Sequence, residues 1–234
     1  MRRTLVIVIA LLLAITLLPA CKGGGGGGGV GNETGGGGGT PPGGNETPPG
    51  GTTAAYTGFM AATAGQWVDY VMAADGEELH QIMENIGEDT VDGASCVGFE
   101  ITMVGEDTIV QMWTDTATGQ LVKYVMKMGD QVMCMDIGQA PYEPPETETP
   151  GEYAPDLAES YGTYEVPATG ETVDVAIFTS EGVETWISSE VPFGLVQVIV
   201  SGTATMSLNN FGTSGAARDI SKAEMEDCMP IPGF

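Results

Sequence analysis

Sulfur is the element in this chain whose placement most invites a chemical reading. Met126, Met128, Met133 and Met135 surround Cys134 at a spacing of two, and Cys21, Cys96 and Cys228 complete the cysteines. Thioether and thiolate sulfurs are soft ligands suited to Cu(I). Period two, however, places such methionines on one face of paired strands, where they fill irregular cores or line adaptable apolar surfaces. The reading is therefore an apolar lining built from Tyr124, Met126, Met128, Met133 and Met135, with no metal. His80 is the single histidine. Any Ser-His-Asp or Cys-His device would have to use it, and a multi-histidine zinc or copper site is impossible within one chain. No G-x-x-x-x-G-K-[ST], G-x-S-x-G or H-E-x-x-H occurs. Asp89, Asp92 and Gly93 do not match a calcium loop, and His80 reads as a surface or strand-edge hydrogen-bonding residue. No catalytic residue and no cofactor is expected, and the chain is not read as an enzyme.

Cys21 has a different context. Arg2 and Arg3 form a basic n-region, and Leu5 to Leu18 is apolar apart from Thr16. That run is too short for a bilayer, which needs about 20 residues, but suits a signal-peptide h-region over residues 1–20. Residues 21–55 follow as a cysteine and a tract of Gly, Pro, Thr, Asn and Glu. Such a tract has almost no apolar surface to offset its ordering entropy and is expected to be disordered. About thirty residues of it span roughly 30 Å. Asn32-Glu33-Thr34 and Asn45-Glu46-Thr47 match the N-glycosylation acceptor pattern, which makes Asn32 and Asn45 candidate sugar sites.

The charge limits the partners. The 234 residues carry 32 acidic against 7 basic side chains, a formal net charge of −25. After the signal and tether, only Lys123, Lys127, Arg218 and Lys222 remain basic. A surface this acidic repels nucleic acid and anionic headgroups. About 180 residues are left to fold, enough for one well-cored domain.

The elements that must position these residues read as strands. Gln66 to Ala73 is followed by a hairpin-type Asp75-Gly76 turn. Residues 78–87 fit either a helical stripe or a strand, and the flanking turns favour a strand. Ser95 to Val104, Thr108 to Asp115, Leu121 to Met128 and Gln131 to Ile137 alternate and are joined by short turns, the pattern of an antiparallel meander. The tetrapeptide GEDT, at Gly87 and again at Gly105, reads as reused turn chemistry. Val110, Met112, Leu121 and Val125 fall off the methionine stripe, so both faces of the sheet need cover. Residues 56–139 form this first strand group, and 140–156 a Pro/Glu/Thr linker. Residues 157–234 hold a second group: Tyr161–Val166, Thr172–Phe178, Val183–Ser189, Leu195–Ser201 and Ala204–Phe211. Ser221-Lys222-Ala223-Glu224 is a capping box that opens a short helix ending near Cys228. The fold class is mainly β: a curved antiparallel meander sheet, half-barrel or sandwich-like, with both strand groups in one domain.

Leu18-Pro19-Ala20-Cys21 resembles the lipobox of prokaryotic lipoproteins, although Pro19 stands where a small residue is commoner. The resemblance implies cleavage before Cys21 and lipid on its sulfur. The acidic, Gly/Thr-tethered, sequon-bearing style is similar to archaeal surface lipoproteins. The order "QWVDYV", "GEDTVDGASCVGFEI", "WTDTATGQLVKYV" and "TWISSEVPFGLVQV" resembles periplasmic lipoproteins and Lol-type carriers, which implies a strongly curved sheet. Those carriers line the concave face with helices, and this chain offers one. The expectation is a lipid-anchored module on the outer side of the cell membrane, binding an apolar or amphiphilic ligand, or alternatively acting as a structural or interaction protein of the envelope. There disulfides persist. In a regular meander Cys96 and Cys134 stand roughly 20 Å apart, against a Cα limit of about 7 Å. Cys228, near the end of the chain, can reach either. The favoured pair is Cys134–Cys228, with Cys96 free.

Overall fold

The computed structural model describes residues 62–74, 77–136 and 158–231. The signal, the tether with Cys21, Asn32 and Asn45, the Asp75-Gly76 turn and the linker 140–156 lie outside the described residues. The first strand group is β1 (Trp67–Ala74), β2 (Glu77–Val91), β3 (Ala94–Val104), β4 (Thr108–Asp115), β5 (Leu121–Met128) and β6 (Gln131–Asp136). The second is β7 (Ser160–Glu165), β8 (Thr172–Ser180), β9 (Val183–Ile187), β10 (Leu195–Val200) and β11 (Thr203–Gly212). A helix, α1 (Lys222–Glu226), and a two-residue strand, β12 (Met229–Pro230), follow.

These strands form one 12-stranded sheet in the order β12-β6-β5-β4-β3-β2-β1-β11-β10-β9-β8-β7. Each group is an antiparallel meander. The two are joined edge to edge where β1 pairs with β11, so the second group extends the first sheet as well as packing on it. The short β12 runs parallel to β6. The second group curls strongly. Tyr164 on β7 donates its hydroxyl to the carbonyl of Leu208 on β11 at 2.6 Å, although β7 and β11 lie four places apart in the strand order. The loop before β10 folds back on the first group, where the Phe193 ring meets that of Phe99 edge-on at 6.0 Å.

Residues 78–87 are strand, the alternative favoured over a helical stripe. The first GEDT differs from its sequence reading. Gly87-Glu88-Asp89-Thr90 lies within β2, whose ladder shifts register between Asn85 and Gly87. A strand long enough to pair with both β1 and all of β3 absorbs the extra residue as a bulge, with Gly87 at φ +89°. The second GEDT is a turn, with Gly105 at φ +87°. The capping box forms in full: the Ser221 side chain accepts from the Glu224 backbone, and Glu224 accepts from the Ser221 N–H at 2.8 Å.

Candidate functional site

Directly paired residues share a face of the sheet, so the ladders sort every strand side chain onto one of two sides. One row runs Leu208, Tyr70, Gln81, Met103, Thr108, Met128 from β11 to β5. The next runs Val68, Met83, Ile101, Val110, Met126, Met133. A third carries Phe99, Met112, Tyr124 and Met135, and a fourth pairs Met72 with Met206. With Met229 beside Met133, ten of the chain's 13 methionines lie on this one face. The opposite face of the same strands carries none.

The structure therefore brings Tyr124, Met126, Met128, Met133 and Met135 onto one surface. Tyr124 is buried, and burial pushes its hydroxyl up to about 12. Met126 and Met135 are partly buried and pack against the main core. Met128 is 39 % exposed and Met229 51 %, whereas Met83 and Met103 are buried. The face is thus closed towards β1 and β2 and open towards β5, β6 and β12. Val110 and Met112, expected off the stripe, belong to it, because they pair with Met126 and Tyr124. Alternation within one strand cannot show how it aligns with the next. Met72, Met83, Met103 and Met206 were not assigned to the lining for the same reason, although their period-two positions in apolar strands were the available signal.

The other face holds a smaller core of Val91, Cys96, Trp113, Val125, Cys134, Ile220 and Met225. The segment from Ser214 to Cys228 lies across it as a strap. Two buried carboxylates of neighbouring strands accept its backbone N–H groups: Glu84 from Ala217 at 2.9 Å, and Glu100 from Asp219 at 3.0 Å and Ile220 at 3.3 Å. The buried Gln111 side chain donates to Glu100 and to the Ile220 carbonyl. Burial raises the pKa of both Glu84 and Glu100. Arg218 stacks over Trp113 at 4.9 Å and pairs with Asp89, which Lys222 also contacts, holding the Asp89 carboxyl down to about 2. Gly98 is the only residue type that fits beneath Trp113: a Cβ there would stand 2.7 Å from the ring.

Cys134 and Cys228 are bonded, with their Cα atoms 5.7 Å apart, and this bond fixes the end of the strap to β6. Cys96 is a buried free thiol. His80 is on the central strand β2, not at an edge; its Nδ1 is 3.3 Å from Asp69 Oδ1, and Asp69 also accepts from Asn209 at 2.6 Å. Among the described residues no cluster of His, Cys, Asp and Glu is arranged to hold a metal.

No protein-family model matches the chain, and no curated protein is detectably similar to it. Among solved structures it is similar to PNGF-II, at 9 % identity and a TM-score of 0.35, over 73 % of this chain and 31 % of that one. The matched region spans less than a third of PNGF-II.

Proposed function

We propose that this chain is a lipid-anchored, extracytoplasmic binding module for an apolar or amphiphilic ligand. The observation that carries the reading is the segregation of ten methionines onto one face of the sheet. A core that needed only volume would use branched aliphatic residues with well-defined rotamers. Methionine is unbranched and polarisable, and it suits a surface that must repack around a guest. The opening of this face towards β5 and β6 supplies an entrance. The Cys134–Cys228 bond supports a location outside the cytoplasm, where disulfides persist. Lipid on Cys21 would hold the module to the membrane, and the glycine tract would let it stand off, with Asn32 and Asn45 available for sugars. The reading requires no catalytic residue, and the acidic surface disfavours nucleic acid.

The second reading is a non-enzymatic interaction protein of the envelope. Burial of Met83, Met103, Val110 and Tyr124 favours it, since this part of the face is already filled. An environment-sensitive apolar dye separates the two. The binding reading expects bright, saturable dye binding to the folded chain that added lipid displaces. A dark dye on a cooperatively folded chain leaves the interaction protein as the better reading.

A further inference from the structure

Gln81 is 1 % exposed, at the centre of the methionine face, and its Oε1 has no hydrogen-bond partner. A buried carbonyl oxygen left unpaired costs about 1–3 kcal/mol. Native interiors keep such atoms rarely, chiefly where a water, an ion or a ligand completes them. The neighbours of Gln81 across the ladders are Tyr70 and Met103. The Tyr70 hydroxyl already donates to the Leu195 carbonyl at 2.8 Å. Along the same row lie Thr108 and then Met128, which is 39 % exposed at the open side. Three strand spacings separate Gln81 from Met128, roughly 14 Å. A row of side chains thus runs from the exposed Met128, past the buried Thr108 and Met103, to one unsatisfied acceptor.

The chemistry of this face restricts its guest. Between β1 and β6 the four rows described above carry no charged side chain, and Glu88, paired with Val97, lies beyond them on the same face. An ammonium or carboxylate headgroup drawn in would be a buried charge without a counter-charge, at heavy cost. A neutral hydroxyl matches the site: it donates one proton to Gln81 Oε1, while its chain follows the methionines outwards. We infer that Gln81 is the polar anchor of this binding face and that the ligand class is a long-chain or isoprenoid alcohol, lying between Gln81 and Met128. This inference rests on the binding reading above and deepens it.

The test uses the full chain in its own membrane fraction. Two photo-probes are compared, a long-chain alcohol with a diazirine in its tail and the same chain ending in a methyl group. Labelled peptides are mapped by mass spectrometry. The expected result is labelling of β3 to β5 about tenfold stronger with the alcohol, and loss of that preference in Gln81→Leu. The variant should fold, because it replaces an amide whose oxygen is unpaired with an apolar side chain of similar size; a retained Cys134–Cys228 bond and melting transition check this. If Gln81→Leu does not fold, the alcohol-to-hydrocarbon ratio in the unaltered chain still decides. Equal labelling of these strands by both probes overturns the role of Gln81 and leaves the binding reading standing. Absence of labelling by either probe overturns both.

Discussion

At the residue scale, single side chains set the anchoring and the pH response. On the proposed lipid anchoring, membrane attachment turns on Cys21. Cys21→Ala is expected to leave the membrane fraction or accumulate unprocessed; a variant that is normally processed and still membrane-bound would show the anchor to be elsewhere. The carboxylates beneath the strap and on it titrate in two groups. Glu84 and Glu100 have raised pKa values because burial disfavours their charged forms. The native state therefore binds their protons more tightly than the unfolded chain does, and their contribution to stability is lost as pH rises above 4.5 through the raised values. Asp89 and Glu224 are held down to about 2 by their cationic and hydrogen-bonding partners. Their contribution is present above the ordinary carboxylate range and lost as pH falls towards 2. Stability is thus expected to be greatest in mildly acidic solution. Glu100→Gln should flatten the decline on the alkaline side, as read from denaturant midpoints against pH; an unchanged slope would show that Glu100 does not cause it.

At the element scale, the strap and the close contact under Trp113 are the parts most sensitive to substitution. The Cys134–Cys228 bond closes a loop with a sequence separation of 94. Cys228→Ser should cost about 2–5 kcal/mol, and hydrogen exchange should show α1 and β12 opening before the central strands. Uniform protection across strap and sheet would mean that Glu84 and Glu100 hold the strap without the disulfide. Gly98→Ala forces a methyl group to within 2.7 Å of Trp113 and 2.8 Å of Ile86. Overpacking of this kind costs about 1–3 kcal/mol, whereas Gly93→Ala meets no neighbouring atom and is strained only through its backbone, at φ +86°. Thermal melts of the two variants separate crowding from backbone strain.

At the scale of the whole molecule, charge is distributed unevenly. The four basic residues of the described chain all pair with carboxylates: Lys123 with Asp92, Lys127 with Glu224, and Arg218 and Lys222 with Asp89. Three of these residues tie the strap to the sheet. Acidic groups far outnumber these cations, and self-repulsion at a net charge of −25 opposes the compact state. Added salt shortens the range of that repulsion to about 10 Å at 0.1 M. The melting temperature should therefore rise with salt at neutral pH. A fall would mean that the strap's ion pairs outweigh the general repulsion.

The sequence by itself determined what depends on near neighbours along the chain. Alternating apolar residues and Gly-centred turns marked ten strands within one or two residues of their ends and β2 to within four, and Ser221 and Glu224 marked the helix start. The offset of three strands between Cys96 and Cys134 also pointed to Cys228 as the partner of Cys134. Tertiary structure decided which strands meet and in what register. It joined β1 to β11, turned the first GEDT into a bulged strand while leaving the second as a turn, and aligned methionines from eight strands on one face. It also placed Glu100, Gln111 and Gln81 in the interior, although each reads in sequence as an ordinary polar position of an alternating strand. The physical reason is that alternation gives each strand two faces but does not say which one will be buried. That follows from pairing between residues over a hundred positions apart, and here from a strap that covers the second face.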